Sequence, residues 1–291
     1  MIPEILEAYF HGPKSRNDES LRATVQTLGL HIDSQLSKGF HKRHKGQLRA
    51  SDATKCSRKS QYASLNVEGE PISFDSTFKM LMGNMLEAVV LHAVSLVRGM
   101  TIAYNNADMI FDIGGRKREG HVDGVLSYKG DRFHLEMKSM NANSFRWSKK
   151  KGIDDGFGYL GQAEVYHRGL KEKGLINQKE TIFLLIDRNQ MKMSEVRHAY
   201  TGRYASLADK KFALIDKCNE EKKLAPRDYL LNDDGTLPMQ CSYCSYKHAC
   251  WTEPVQHVTY DLRGEPVYQI QPTRELKLSF GKKNAPTWTL T

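Results

Sequence analysis

Residues 120–139 constrain the fold more than any other part of the chain, because their pattern is that of two strands joined by a tight turn. The turn-forming segment 128–131 follows an extended run through Val125 and Leu126. In the second strand, apolar and polar side chains alternate in the order Phe133, His134, Leu135, Glu136, Met137 and Lys138. Successive side chains of a strand point to opposite faces of the sheet. The pattern therefore predicts a β-hairpin with one apolar and one polar face.

The polar face of this hairpin carries a candidate metal site. Glu136 and Lys138 project from the same face, and closure of the hairpin brings Asp123 beside Glu136. Two carboxylates supply the oxygen ligands that Mg²⁺ or Mn²⁺ prefers. A neighbouring ammonium can orient water and stabilise negative charge that develops on a phosphate. A solvated hairpin with a weak Glu–Lys pair has the same pattern, and the pattern taken alone favours that second interpretation.

The composition favours a polyanionic partner. The 291 residues include 43 Lys and Arg against 34 Asp and Glu, and the net charge of +9 suits a nucleic acid or a basic solvated surface. The basic segment 41–45 could contact nucleic acid or form a solvated helix face. No apolar run reaches membrane-spanning length and the N-terminus lacks a signal-peptide pattern, so we expect a cytoplasmic protein without a membrane partner.

Hydrophobic periodicity predicts further helices and strands around the hairpin. A helix at 76–98 carries an apolar stripe formed by Phe78, Leu81, Met82, Met85, Val89, Ala93, Leu96 and Val97. Glu87 lies off this stripe and His92 lies near its edge, and periodicity alone singles out neither as functional. The remaining predictions are strands at 102–113, 181–187 and 191–198 and helices at 159–173 and 201–223.

The stretch 144–161 is basic and glycine-rich and predicts a loop. Phe145 and Trp147 are interleaved there with Arg146 and with the lysines at 149–151. Cations bind phosphates and aromatic faces stack on bases, so such a loop suits a single DNA strand. A mobile surface loop would have the same composition.

The cysteines favour a metal site over disulfides, because five cysteines in a reducing compartment are available as ligands. Three of them have the spacing C-x2-C-x5-C, at Cys241, Cys244 and Cys250. A zinc ion and an iron–sulfur cluster both need a fourth ligand. His248 would complete a zinc site, whereas Cys56, 185 residues before Cys241, would complete a four-thiolate site. Cys218 has no cysteine partner at short spacing and is expected in the core or on a helix surface.

Together these features resemble the RecB-type exonucleases of the PD-(D/E)xK superfamily, in particular the iron–sulfur branch that includes the AddB helicase-nuclease subunit and the CRISPR-associated adaptation nuclease. The similarity spans Cys56 to Cys250, about two thirds of the chain. In that branch one cysteine precedes the nuclease core and three follow it. The chain matches this order with Cys56, Cys241, Cys244 and Cys250.

Four further motifs of the family occur in the family's order. They are a helical glycine followed by an acid (Gly83 and Glu87), G-x-x-D (Gly120 to Asp123), E-x-K (Glu136 to Lys138) and Q-x-x-x-Y (Gln162 and Tyr166). The chain departs from the family at two positions. Val122 stands where the superfamily name has proline, and Glu87 stands where many members have histidine, which leaves His92 as an alternative.

The resemblance implies roles for these residues. The residues implied to hold Mg²⁺ or Mn²⁺ are Glu87, directly or through water, Asp123, Glu136 and the carbonyl of Met137. Lys138 would position water and stabilise charge, and Gln162 and Tyr166 would contact phosphates of the scissile strand. The four cysteines would hold a [4Fe-4S] cluster with a structural role.

The resemblance also implies the fold and the domain boundaries. We expect an α/β protein with a restriction-endonuclease-like core, in which helices flank a mixed central sheet, and a helical subdomain that the iron–sulfur cluster holds together. The implied boundaries are an N-terminal helical region with one cluster cysteine (1–75), the nuclease core (76–200), a C-terminal helix with the cysteine segment (201–254) and a tail (255–291).

The implied function is a metal-dependent DNA exonuclease that hydrolyses phosphodiester bonds at single-stranded ends, with recombination or replication proteins as further partners. One alternative is a catalytically silent protein that binds DNA ends and assists recombination. Another is the same nuclease with zinc in place of the iron–sulfur cluster.

Overall fold

A computed structural model describes most of the chain. The described residues are 2–11, 26, 29, 30, 33, 46–71, 73–104, 107–153, 156–233, 236–251 and four strands between 256 and 290. The basic segment 41–45 lies outside the described residues.

Strands and helices are mixed along the described part of the chain. The strands are β1 (Met100–Ala103), β2 (Ala107–Ile113), β3 (Arg116–Val122), β4 (Gly124–Tyr128), β5 (Asp131–Met140), β6 (Glu180–Asp187), β7 (Met193–Ala199), β8 (Gln256–Tyr260), β9 (Pro266–Ile270), β10 (Leu276–Phe280) and β11 (Pro286–Leu290). The helices are α1 (Ile2–His11), a 3₁₀ turn (Ala50–Asp52), α2 (Ser57–Ser64), α3 (Phe74–Ser95), α4 (Ala142–Lys151), α5 (Tyr159–Glu172), α6 (Arg203–Glu220), α7 (Met239–Ser242) and α8 (Lys247–Cys250).

A five-stranded mixed sheet forms the centre of the fold, in the order β1–β4–β5–β6–β7. Strands β5 and β6 run parallel, and the other neighbours run antiparallel. The pairing of β4 with β5 extends from Gly124↔Leu135 to Tyr128↔Asp131. This register confirms the predicted hairpin and its turn, and the sheet confirms the predicted mixed α/β architecture.

Strand β6 is buried on both faces of the sheet, as its uninterrupted apolar sequence predicts. Ile182, Leu184 and Ile186 pack with residues of α1 and α3 on one face. Phe183 and Leu185 pack with residues of α4 and α5 on the other face. Because complete burial of one such side chain contributes about 1.5–3 kcal/mol, this strand anchors both helical layers.

The predicted single strand at 102–113 is wrong, because the chain forms two strands there that belong to different sheets. Strand β1 lies in the central sheet, whereas β2 pairs with β3 in a separate hairpin. Between them Tyr104 has a φ of 57°, a left-handed conformation that ends an extended run. Strand β3 leads back to the central sheet, and Asp123 alone separates it from β4.

The predicted basic loop at 144–161 is also wrong, because its first part lies in helix α4. The side chain of Asn141 accepts a hydrogen bond from the Ser144 N–H at 2.8 Å and so caps the helix. Gly152, with a φ of 88°, ends it. Phe145 is buried while Trp147 is 54% exposed, so only the tryptophan is available to a ligand.

Helix α3 agrees with the predicted helix in position but differs in its buried face. Phe78 and Val89, both assigned to the apolar stripe, are 51% and 43% exposed. The buried face includes Leu81, Ala88 and Leu91. Phe78 is exposed because the first turns of α3 are exposed. Val89 is exposed because it lies about 100° around the helix from the buried Ala88.

Helix α6 packs against the centre of the fold. Phe212 and Ile215 lie in one apolar cluster with Phe111 of β2 and Val165 of α5. Cys218 is buried in the same cluster, which is the first of the two locations expected for it, the core or a helix surface. Within the described part of the chain, no helix combines the length and apolarity needed to cross a membrane.

Candidate functional site

Asp123 lies where β3 meets β4 and turns its carboxylate toward β5. Its Oδ2 accepts a hydrogen bond from the Met137 N–H at 2.7 Å. The N–H and C=O of one strand residue point to the same side of the strand. Since β4 begins only at Gly124, opposite Leu135, the Met137 carbonyl also points to the side on which Asp123 lies. The hairpin thus brings Asp123 beside Glu136 and Met137, as its pattern predicts.

Glu136 and Lys138 form a buried pair on the polar face of β5. The Lys138 Nζ lies 2.5 Å from Glu136 Oε1, with the carboxylate fully buried and the lysine side chain 18% exposed. Burial opposes ionisation of Glu136, but Lys138 and His134 hold the pKa of this carboxyl below its ordinary value. Burial likewise opposes the charge of Lys138, but Glu136 and Asp123 raise the pKa of the amine. Lys138 is therefore held as an ammonium.

The charge on Asp123 is the least compensated in this group. Burial raises the pKa of Asp123 well above its ordinary value, and the neighbouring charges of Glu136 and Glu87 raise it further. Lys138 and the Met137 N–H act in the opposite direction but do not offset these effects. Three carboxylates and the single ammonium of Lys138 leave excess negative charge in this group. A divalent cation would neutralise that charge.

Helix α3 supplies Glu87 to this group. A Cβ added at Gly83 would lie 3.0 Å from the Ser139 Oγ, so the glycine lets α3 approach β5 closely one turn before Glu87. Glu87 is half-buried, and its charge acts on Asp123. His92 follows five residues later, which turns its side chain about 140° from Glu87 around the helix. The charge of Glu87 thus reaches Asp123, which supports Glu87 over His92 as the acid of the first motif.

Tyr166 of helix α5 forms the floor of the site. Its ring is fully buried and stacks on Phe111 with centroids 4.8 Å apart. A Cβ at Gly120 would lie 2.9 Å from the Tyr166 Oη, so only glycine fits there. The tyrosine supports the strand that leads to Asp123, and its contact with a phosphate, expected from the sequence, stays a prediction. Gln162, one turn earlier on α5, is half-buried.

Sequence reasoning missed two residues at this site. His134 is fully buried, and its Nε2 lies 3.6 Å from Glu136 Oε2. Its place in the alternating strand was a usable signal, because it must share a face with Glu136 and Lys138. Lys55 pairs with Asp52 at 3.3 Å, and burial together with the charges of Lys59 and Lys138 lowers its pKa. No local pattern indicates that Lys55 lies near Lys138.

The four predicted cluster cysteines line one cavity of about 250 Å³. Cys56 stands at the start of α2, while the other three come from the segment of α7 and α8. Burial raises the pKa of Cys241 to about 12 and also raises the pKa of Cys244 and Cys250, with Cys56 contributing in each case. The structure thus unites thiols that are far apart in sequence.

The surroundings of the cavity suit an anionic group. Arg58 and Arg227 favour the thiolate of Cys250, and Lys59 favours that of Cys244. The indole N–H of Trp251 likewise favours the thiolate of Cys241. A cluster ligated by four thiolates carries negative charge, and hydrogen bonds to sulfur tune it, so these donors fit such a group.

His248 does not line this cavity. Its Nδ1 lies 3.4 Å from Glu70 Oε1, an ion-pair distance on the neighbouring surface. The cavity therefore places Cys56, and not His248, beside Cys241, Cys244 and Cys250 as the fourth potential ligand. Within the described ranges, no group of three or more histidine, cysteine, aspartate or glutamate side chains has a spacing that could hold a metal ion.

Comparison with known proteins gives ten chains of solved structure that are similar to this one, including SSO0001 and LHK-Exo. No family model and no curated protein match the chain. The crystal structure of SSO0001 is similar with 14% sequence identity and a TM-score of 0.44, over 77% of this chain and 94% of that one. The crystal structure of LHK-Exo in complex with dAMP is similar with 16% identity and a TM-score of 0.43, over 61% of this chain and 89% of that one. Both similarities are too low to identify a function for this chain.

Proposed function

We propose that the protein is a metal-dependent DNA exonuclease with a RecB-type PD-(D/E)xK core that acts on single-stranded ends. The observation that carries the proposal is that Asp123, Glu136 and Lys138 converge. The Lys138 Nζ lies 2.5 Å from Glu136 Oε1, and Asp123 accepts a hydrogen bond from the N–H of Met137, the residue after Glu136. The charge of Glu87, on α3, acts on Asp123. Three acids and one ammonium of this kind suit hydrolysis of a phosphodiester.

The residues that would hold Mg²⁺ or Mn²⁺ are Asp123, Glu136, the Met137 carbonyl and, directly or through water, Glu87. The bound cation would supply Lewis acidity toward a phosphoryl oxygen and a more acidic water. Lys138 is held protonated, so it would donate to the attacking water and stabilise charge on the phosphate rather than act as a base. Gln162 lies within reach of solvent and would contact the scissile strand.

Exposed cations and one exposed aromatic ring support DNA as the substrate. Trp147 is exposed on α4, and Lys149, Lys150 and Lys151 form the last turn of that helix. Lysines neutralise phosphates, and a tryptophan face stacks on an unpaired base. This arrangement favours single-stranded DNA over a closed duplex.

The four-thiol cavity is proposed to hold a structural [4Fe-4S] cluster. Its support is the presence of Cys56 among the lining thiols and the cationic groups around them. The zinc alternative would need His248, which instead lies beside Glu70. Elemental analysis of anaerobically purified protein distinguishes the two, because one predicts iron with sulfide and the other zinc.

The test of catalysis is a nuclease assay on end-labelled single-stranded and double-stranded DNA, with products resolved by length. Wild-type protein should shorten single strands from an end in Mg²⁺ or Mn²⁺ and lose activity with a chelator. Lys138→Ala should lower kcat about 10²- to 10³-fold, as expected for loss of one electrostatic stabiliser. Lys217→Ala, which changes an exposed lysine on α6, is the control and should match wild type.

A different result would assign a different function. If wild type and Lys138→Ala behave alike, the catalytic proposal is wrong. DNA-end binding without cleavage would then favour the accessory protein.

A further inference from the structure

A buried chain of polar side chains leads from helix α5 to Glu136. The Nδ1 of His167 lies 3.4 Å from Thr181 Oγ1, and this hydroxyl lies 3.0 Å from the Nδ1 of His134. The Nε2 of His134 in turn lies 3.6 Å from Glu136 Oε2. None of the four side chains is more than 1% exposed.

The fold brings these residues together across three elements. His134 lies opposite Thr181 in the parallel pair of β5 and β6, so their side chains leave the sheet on the same face. His167 covers that face from α5, and its ring stacks on Tyr200 with centroids 4.9 Å apart. The His134 ring meets Tyr166 edge-on with centroids 6.0 Å apart, so packing as well as polar neighbours fixes each ring.

The donors and acceptors determine the direction in which hydrogen bonds are donated along this row of side chains. Glu136 Oε2 and His134 Nε2 are both buried without a hydrogen-bond partner among the described residues, and they lie 3.6 Å from each other. A buried carboxylate needs a donor. A proton on His134 Nε2 meets this need, and in the tautomer that carries its proton there the Nδ1 is an acceptor. The single O–H of Thr181 must then point to His134, so Thr181 accepts from the Nδ1–H of His167.

His167 suits the role of a neutral donor at the start of the chain. Burial lowers the pKa of His167 to about 4. Its Nε2 has no hydrogen-bond partner among the described residues, which fits a neutral ring that carries its one proton on Nδ1.

We propose that His134 is a positioning residue for Glu136, and that His167 and Thr181 fix it in the tautomer whose Nε2–H points at the carboxylate. The inference rests on the proposed function in so far as Glu136 is a metal ligand. Donors that hold a ligand from behind fix its orientation, and their loss typically lowers metal affinity 10- to 100-fold.

The test combines Mn²⁺ binding with histidine NMR on the full chain. Thr181→Val keeps the shape of the side chain but removes the hydroxyl, whereas Thr181→Ser keeps the hydroxyl. We expect Thr181→Val to weaken Mn²⁺ binding about 10- to 100-fold and Thr181→Ser to stay near wild type. His167→Phe keeps a ring to stack on Tyr200 but removes the donor, and it should also weaken Mn²⁺ binding.

The ¹⁵N resonances of the histidine rings give a readout that a purely structural role would not move. Resonances of His134 are assigned by their loss in His134→Gln. Wild-type protein should show the His134 tautomer that carries its proton on Nε2, and Thr181→Val should show a mixture of tautomers.

Two results would overturn the inference. One is a folded Thr181→Val that binds Mn²⁺ as tightly as wild type, and the other is a wild-type His134 that carries its proton on Nδ1 alone. If Thr181→Val fails to fold, His167→Phe decides between the same outcomes. If wild-type protein neither binds Mn²⁺ nor cleaves DNA, the proposed function fails, while the tautomers still uphold or refute the hydrogen-bond chain.

Discussion

Lys138 and Tyr159 connect the carboxylate site with the thiol cavity. The Lys138 Nζ lies 5.1 Å from the centroid of the Tyr159 ring, and the same ring lines the cavity of the four cysteines. An ammonium over an aromatic face is attracted by the ring electrons. The position of Lys138 therefore depends on the start of helix α5 and on the packing of the cavity.

Replacement of Tyr159 tests this connection. Tyr159→Leu removes a cation–π contact worth about 0.5–2 kcal/mol, so kcat/KM for DNA cleavage should fall about 2- to 30-fold. Tyr159→Phe keeps the ring and should remain close to wild type. Steady-state kinetics on a labelled single strand measures both, and equal losses in the two variants would contradict a role for the ring.

Gly120 is predicted to tolerate no side chain. An added Cβ would lie 2.8 Å from the Ala50 Cβ and 2.9 Å from the Tyr166 ring, so Gly120→Ala should lower the free energy of unfolding by about 1–3 kcal/mol. Urea denaturation followed by circular dichroism gives the value. Gly29→Ala is the control, because a Cβ there meets no atom of the described residues within 4 Å. A Gly120→Ala protein as stable as wild type would show that Tyr166 can move away.

Glu164 should stabilise the fold in a pH-dependent way. Its fully buried carboxylate accepts hydrogen bonds from the N–H groups of Thr201, Tyr204 and Ala205 at the start of α6. Burial opposes its charge, but hydrogen bonds from His198, Thr201 and Ala205 lower the pKa from 4.5 to about 2. Glu164→Gln should therefore cost about 1–3 kcal/mol of unfolding free energy at pH 7.

The sign of the pH effect follows from the lowered pKa. A carboxyl whose pKa is depressed in the folded state contributes stability above its ordinary pKa and loses it as the pH falls. The difference in unfolding free energy between wild type and Glu164→Gln should be constant above pH 4.5 and shrink toward pH 2. Chemical denaturation at several pH values measures this, and a difference independent of pH would contradict the lowered pKa.

Loss of Cys56 should remove the proposed cluster. Cys56→Ser deletes one of four ligands, so the purified protein should lose visible absorbance, iron and sulfide and should unfold at a lower temperature. Cys218→Ala changes a core cysteine outside the cavity and should retain iron. Equal iron content in wild type and Cys56→Ser would show that Cys56 is not a ligand.

The amino-acid sequence was sufficient to predict the hairpin and its polar face. A strict alternation ending in a turn fixes both the register and the side of each residue, so Asp123, Glu136 and Lys138 could be placed together from their spacing alone. The same logic required His134 to share their face. Its contact with Thr181, and the contact of Thr181 with His167, depend on β6 and α5, which are distant from β5 in sequence.

Other parts of the fold have weaker local signals. The lysines at 149–151 favoured a loop, whereas the cap by Asn141 and the burial of Phe145 produce helix α4. No residue pattern indicates the left-handed Tyr104 that ends β1. The location of Lys55 near Lys138 follows from packing of distant segments, which periodicity does not report.

The thiol cavity also sets an order of events during synthesis. Cys56 leaves the ribosome about 185 residues before Cys241, an interval of about 10–40 s at 5–20 residues per second. The hairpin with Asp123 and Glu136 is translated wholly within that interval. Its strands can therefore pair on the ribosome before the last cysteines emerge, and cofactor insertion would be among the final steps of the protein's maturation.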